Sequence, residues 1–248
     1  MIENTEKSAA AEKQEMKDFL KSNKIRFTTG VTWRQNGKWV PSGNISFSEE
    51  ISLFELLKII SHPKIVKDFE EPKTWQKAKH TDGYINPMYK YNFDWYALWE
   101  PCEKDERKIL DNVYRVGGIL LDIDGHKTLS FKEIVELFKA NFPYFFIIYT
   151  SYSHYDKSID DKEPRLRIII PLKRPVKPRE YRLAVNCVLY MSKILNENDT
   201  QESMSADKGI DTSMFSPEHC SYAPVTAKVE NYKYFYCSTK VLFDFYNL

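Results

Sequence analysis

Two carboxylates one residue apart, Asp122 and Asp124, end an apolar run, Val116-Gly117-Gly118-Ile119-Leu120-Leu121-Asp122-Ile123-Asp124-Gly125. The run has the length and make-up of a buried strand, with glycines before and after it. Side chains alternate across a strand, so both carboxylates project to one face. Side by side at the end of an apolar segment they repel each other and lose hydration. A divalent cation removes both costs, and hard cations such as Mg²⁺ or Mn²⁺ take oxygen ligands. A solvated turn after a strand is the plainer reading, because Asp and Gly are ordinary turn residues. This stretch alone supports the two readings equally.

Three further groups enlarge the chemistry. Thr150-Ser151-Tyr152-Ser153-His154 follows the aromatic and β-branched run Tyr144 to Tyr149 and sets a histidine behind hydroxyls at a strand end. A strand-end histidine by itself is more often a plain surface residue. Arg165-Leu166-Arg167 puts two guanidiniums on one strand face, as a phosphate clamp or as a salt-bridge ladder. Asp211 follows the apolar Ile210. Carboxylates with His and Arg make a coherent set for nucleotidyl transfer. Two metal ions would bridge a triphosphate, lower the pKa of an attacking 3′-hydroxyl and stabilise the departing pyrophosphate. The cationic side chains would neutralise charge growing on the phosphates. Catalysis would then be positioning plus electrostatics, with no covalent intermediate.

The elements that must position these residues are legible in outline. Residues 1 to about 22 read as a helical or frayed leader. Ile25 to Trp33 and Lys38 to Phe47 read as strands around Asn36-Gly37, a hairpin signal. Ser48-Glu49-Glu50 predicts the start of a helix over Ile51 to Ile60. Residues 70 to 100 hold Trp75, Tyr84, Tyr89, Tyr91, Trp95, Tyr96 and Trp99 and resist assignment. Core packing is the first expectation for these rings, and a base-stacking surface is the alternative. Pro101 to Asp111 reads as a charged helix or loop. Ser130 and Glu133 form a capping box ahead of a helix that Pro143 ends. Arg165 to Pro171 is a strand and Pro178 to Asn196 a long helix. Residues 197 to 209 read as a loop, Tyr232 to Cys237 as a strand, and Val241 to Leu248 as a terminal strand or helix. From Gly118 onward the order is strand, helix, strand, strand, helix, strand. That predicts an α+β fold with a split βαβ, RNA-recognition-motif-like antiparallel sheet. Residues 1–110 would form an N-terminal α/β extension and 111–248 the core, in one compact domain.

Composition narrows the partners. Net charge is +1, so a nucleic-acid surface has to be a local patch and not a property of the whole chain. No apolar segment is long enough to span a membrane and no signal-peptide core precedes the first strand, so no membrane partner and a cytoplasmic location are expected. The four cysteines, Cys102, Cys187, Cys220 and Cys237, form no CxxC pair, which suits a reduced compartment. A metal site built from Cys220, His219 and distant partners is a lesser alternative.

The order of these motifs resembles the archaeo-eukaryotic primase superfamily. Its pattern is apolar-Asp-apolar-Asp, then a small residue and His after a strand, then apolar-Asp. The stretches Thr150 to His154, Arg165 to Val176 and Asp211 to Pro224 are especially similar to primase-polymerases of plasmids, phages and other mobile elements. The resemblance covers roughly residues 115–226. It implies that Asp122, Asp124 and Asp211 hold Mg²⁺ or Mn²⁺. Ser153 and His154 would meet the incoming triphosphate, and Arg165 or Arg167 would support it. It further implies a single-stranded DNA template and NTP or dNTP substrates. A replicative helicase, in cis or in trans, would be a further partner. Tyr155, Lys173 and Arg174, basic or aromatic and flanking the site, are the template-contact candidates.

Two rivals remain. Apolar-Asp-x-Asp-Gly also resembles the first motif of haloacid-dehalogenase-type phosphatases, with Ile147 to Thr150 passing for their second. Against it, His126 replaces the usual Thr or Val, the motif sits near mid-chain, and no late Gly-Asp-x-x-x-Asp follows a strand. A non-catalytic origin-binding or single-strand-binding module on the same fold is the other rival. Retention of all three Asp argues against a degenerate site.

Overall fold

The structure, a computed structural model, describes residues 2–30, 32–35, 38–41, 45–65, 95–102, 109–151, 164–226 and 229–248. The elements in chain order are α1 (Ile2–Ser22), β1 (Lys24–Gly30), β2 (Thr32–Gln35), β3 (Lys38–Pro41), β4 (Phe47–Ser52), α2 (Leu53–Ser61), β5 (Lys64–Ile65), β6 (Trp95–Ala97), β7 (Trp99–Pro101), β8 (Val113–Asp124), α3 (Phe131–Asn141), β9 (Ile147–Thr150), β10 (Arg165–Val176), α4 (Pro178–Met191), α5 (Gln201–Ala206), β11 (Ser221–Tyr222), β12 (Val225–Thr226) and β13 (Tyr234–Tyr236). Short 3₁₀ turns lie between some of them.

The apolar run ending in Asp122 and Asp124 lies inside the five-stranded sheet β13-β9-β10-β8-β7, in which every neighbouring pair is antiparallel. β8 and β9, joined through α3, are therefore parallel with β10 inserted between them. This is the split βαβ connection, and the molecule is of the α+β class. The last strand takes a different edge from that of an RNA-recognition motif, where it lies beside the first. Here β7 occupies the outer edge of β8, so β13 pairs with β9.

A second sheet, β11-β6-β1-β4, draws strands from both ends of the sequence. Residues 95–101 join the two sheets. β6 belongs to one and β7 to the other, with Leu98 between them accepting the Gly117 N–H at 2.7 Å. Trp95, Tyr96 and Trp99 are buried, so these three rings are core. Trp75, Tyr84, Tyr89 and Tyr91 lie outside the described residues. Across the join the buried hydroxyls of Tyr96 and Tyr149 meet at 2.6 Å. Burial pushes the pKa of both phenols up, so the contact is between two protonated groups. One apolar cluster runs from Leu20 to Phe243 through both sheets.

Several local expectations shift. The helix predicted from Ser48 starts at Leu53, because Ser48 to Ser52 pair along β1 as β4. The capping box that starts α2 is Ser52 with Glu55: Ser52 Oγ accepts the Glu55 N–H at 3.2 Å. The helix from Pro178 stops at Met191 and not Asn196, where Lys193 takes a left-handed φ of 62°. Ile194 and Leu195 are buried all the same, which explains why they continued the apolar pattern. Residues 197–209 contain the six-residue α5, capped by Thr200, where a loop was expected. β10 runs on to Val176 and β9 begins only at Ile147. The C-terminus ends in a 3₁₀ turn, Phe245–Asn247. The Ser130–Glu133 capping box forms as expected, as does the β2–β3 pairing that brackets Asn36 and Gly37.

Two features at the end of β8 fix the chain around it. Residues 209–211 run antiparallel beside it through an Ile123–Ile210 bridge, with Asp124 N–H donating to Gly209 O at 2.6 Å. Gly209 has φ +63°, and a Cβ there would sit 2.8 Å from Gly125 C and 2.9 Å from Asp124 O. His126 is buried in the turn into α3, and its Nδ1 accepts the N–H groups of Thr128 and Leu129 at 3.3 and 3.2 Å. Its Nε2 has no partner among the described residues. Burial and, secondarily, Lys208 lower its pKa to about 4, opposed by Asp199.

Gly209→Ala should destabilise the fold by at least about 2 kcal/mol, from left-handed strain plus the clash. Urea denaturation checks this, and an unchanged midpoint would mean residues 209–211 do not pack this closely. His126 titrates lower in the folded state than in the unfolded chain, so the unfolded chain takes up its proton first as pH falls. Stability should therefore drop between pH ~6.5 and ~4, by no more than about 3 kcal/mol, and level off below. His126→Asn, denatured in the presence of chelator across that range, should lose this slope. A retained slope would assign it to another group.

Candidate active site

The register of β8 against β10 makes Asp122 the direct partner of Arg167 and Asp124 the partner of Arg165. Directly paired residues share a face. Two local patterns of period two thus become one patch with two charges of each sign. Asp122 Oδ2 accepts from Arg167 Nε at 3.2 Å, with side chains only 15% and 11% exposed. Asp122 Oδ1 is buried and has no partner among the described residues. Arg167 also donates from Nη1 to the Tyr222 carbonyl at 3.4 Å, and its guanidinium lies 5.9 Å from the Tyr222 ring centre. Burial works against the Arg167 charge, but Asp122, Tyr149 and Tyr96 outweigh it and raise its pKa. Asp124 lies at the solvent edge. Lost hydration and then the adjacent Asp122 charge push its carboxyl above the usual range, against the pull of Arg165 and Arg167.

Asp211 arrives by backbone pairing: its N–H donates to Asp122 O at 3.0 Å. Its carboxylate caps the 3₁₀ turn Thr212–Phe215, accepting Ser213 N–H at 2.9 Å and Ser213 Oγ–H at 2.8 Å. Ser213 Oγ in turn lies 3.4 Å from His219 Nδ1. A cavity of about 380 Å³ opens here, lined among others by Asp122, Asp211, Ser213, Glu218, His219 and Tyr222.

The structure therefore brings Asp122, Asp124, Asp211, Arg165 and Arg167 to one end of the sheet. Ser153, His154 and Tyr155 lie outside the described residues. Lys173 and Arg174 sit toward the far end of β10, six and seven residues beyond Arg167. There Arg174 holds Asp244 at 2.7 Å, and Lys173 lies 3.8 Å from the same carboxylate. Ser213, Glu218 and Tyr222 lie in the stretch Asp211 to Pro224 that carries the resemblance but have no role assigned from the sequence. Their signal was present in the stretch from Asp211 to Tyr222, where polar and aromatic residues follow an aspartate.

The donor set suits a hard cation in one respect. Asp122 Oδ1 is an orphaned buried acceptor beside a second carboxylate. Among the described residues no three His, Cys, Asp or Glu side chains converge as a metal-holding group, so the Cys220–His219 alternative finds no such group there either. Mg²⁺ does not need such a cage, because it keeps several waters and commonly takes one or two carboxylates plus substrate phosphates. Among the described residues no helix is long and apolar enough to cross a membrane.

No curated protein matches the chain in sequence. Two solved structures are similar to it at low level. One is the archaeo-eukaryotic primase (AEP) domain of the cyanophage S-2L primase-polymerase, with TM-score 0.41 and 9% identity, covering 92% of this chain and 89% of that one. The other is the polymerase domain of Mycobacterium tuberculosis ligase D in complex with DNA, with TM-score 0.37 and 12% identity, covering 88% and 75%. Neither score is high enough to carry an argument about this chain. The family model of the VapE N-terminal domain matches residues 102–244, more than half of the 248. Since that match runs from β8 to beyond β13 and takes in all three aspartates of the site, the chain belongs to the VapE N-terminal domain family.

Proposed function

We propose that the chain is a primase-polymerase-type nucleotidyltransferase acting in replication of a mobile element, using NTPs or dNTPs on a single-stranded DNA template. The observation that carries this is Asp122 Oδ1, a buried carboxylate oxygen without a described partner, beside Asp124, whose carboxyl has a raised pKa. Asp122 and Asp124 would hold Mg²⁺ or Mn²⁺, with Asp211 alongside. When bound, the metal supplies charge neutralisation for the triphosphate and the departing pyrophosphate. Arg167 orients Asp122 through the Nε bond and keeps one carboxylate oxygen occupied. Arg165, half-buried opposite Asp124, is better placed than Arg167 to meet phosphate. Asp211 and Ser213 hold the floor of the cavity, with His219 against Ser213. His154 and Ser153 remain the proposed triphosphate contacts, a helicase the proposed partner, and a cytoplasmic location the proposed setting.

The phosphatase reading loses support from Thr150. Its hydroxyl is engaged with the Lys233 backbone at 3.0 Å, and β9 is separated from β8 by β10. Two strand spacings are roughly 10 Å, too far for Thr150 to share one phosphate with Asp122.

The test is primer extension and de novo synthesis on single-stranded DNA with Mg²⁺ or Mn²⁺ and labelled nucleotides. Asp122→Asn should cut synthesis at least about a hundredfold, and should also lower the melting temperature because the buried Arg167 loses its charged partner, so activity is compared at a temperature where both proteins are folded. Full activity in that variant would remove Asp122 from the metal site. Arg165→Ala should raise the nucleotide KM by roughly tenfold or more. Arg167→Ala should instead destabilise the fold by about 3–5 kcal/mol, because Asp122 would be left buried and unpaired. A stable Arg167→Ala protein with only a raised KM would reverse the two assignments.

A further inference from the structure

A second open cavity, of about 600 Å³, lies at the opposite end of β8 and β10 from the carboxylates. Tyr114, Arg115, Lys177, Pro178, Arg179 and Tyr246 line it. Tyr114 is 60% exposed and Tyr246 43%. Two tyrosine rings left in water beside one cavity forfeit burial that most aromatics obtain. Each ring is already held by a guanidinium: Arg115 lies 5.4 Å from the Tyr114 centre and Arg174 4.9 Å from that of Tyr246. The nearby acids are spoken for. Glu100 takes Arg115 at 2.5 Å, Glu180 accepts the Tyr246 hydroxyl at 2.6 Å, and Asp244 takes Arg174. Lys177 and Arg179 are exposed and have no ion-pair partner within 4.0 Å among the described residues. The cavity thus combines π-faces held in place, a proline edge and two exposed cations that act on Glu180 only at longer range.

That combination is the chemistry of a single-strand platform, in which bases stack on aromatic faces and cations follow the phosphates. An acidic peptide would use the cations but leave the rings idle. We propose that this groove binds single-stranded nucleic acid, with bases on Tyr114 and Tyr246 and phosphates on Lys177 and Arg179. Arg115 is seven residues from Asp122 on β8, about 23 Å at strand rise. The groove therefore anchors a strand remote from the carboxylates, and its binding does not depend on any reaction there.

The experiment is fluorescence anisotropy of the full chain with labelled oligothymidylate at several salt concentrations. An abasic oligomer of equal length serves as the second probe. Tyr114→Ala should weaken oligothymidylate binding by about five- to a hundredfold and leave abasic binding nearly unchanged. Lys177→Gln/Arg179→Gln should flatten the slope of log K against log salt by roughly 1.4, two phosphate contacts' worth for a single strand. Both variants should melt with the parent, since these side chains are exposed. Equal binding of the abasic and thymidylate oligomers by the parent, or unchanged affinity in both variants, would overturn the proposal. Repeating the titration in Asp122→Asn separates the two sites. Tyr114-dependent binding that persists in Asp122→Asn, with a parent chain that shows no polymerase activity, would sink the proposed reaction and leave the groove standing. Activity with Tyr114-independent binding would do the reverse.

Discussion

The ion pair between Asp122 and Arg167 is the constraint on which the site depends. A guanidinium nearly removed from water costs several kcal/mol unless opposite charge and hydrogen bonds surround it. Arg167 finds a carboxylate on the neighbouring strand, a carbonyl and ring from Tyr222, and two buried phenols. It therefore ties β8 to β10 in one sheet and to β11 in the other. The same bond occupies one oxygen of Asp122 and leaves the other buried without a described partner. The group that stabilises the junction is also the group that leaves a buried acceptor open.

The junction is reinforced by groups that carry no net charge. The Tyr96–Tyr149 hydroxyl contact and the sheet switch at Leu98 hold the two sheets against each other. The segment 209–211 then adds a short third wall beside β8. Its close approach requires Gly209, and through the Asp211 N–H bond to Asp122 O it delivers a third carboxylate. The walls of the cavity from β8, β11 and residues 209–211 are thus fixed by backbone pairing.

The two ends of β8 and β10 have opposite character. The Asp122 end gathers carboxylates around an acceptor without a described partner, whereas the Tyr114 and Lys177 end gathers rings and cations around an open groove. Under the proposed function, this separation would keep strand-holding cations away from the carboxylates they would otherwise neutralise.

The sequence by itself determined what has a short period. Asp122 and Asp124 share a face, as do Arg165 and Arg167, because strand side chains alternate; the Ser130–Glu133 box starts α3 because capping is a matter of three residues. The split βαβ order was readable for the same reason. Helix ends were less so: Ser48-Glu49-Glu50 has the make-up of a helix start, and only the pairing of these residues with β1 moves the start to Leu53. Tertiary structure alone decided the register that sets Asp122 against Arg167, the edge that β7 takes from β13, and the place of Asp211 beside Asp122. It also showed that Trp95, Tyr96 and Trp99 are core, and that Lys173 and Arg174 lie far from the carboxylates. These depend on contacts between residues tens of positions apart, which no local pattern encodes. Which strand occupies an edge follows from competition among all strands for the same backbone hydrogen bonds, and that competition is resolved only when the whole sheet forms.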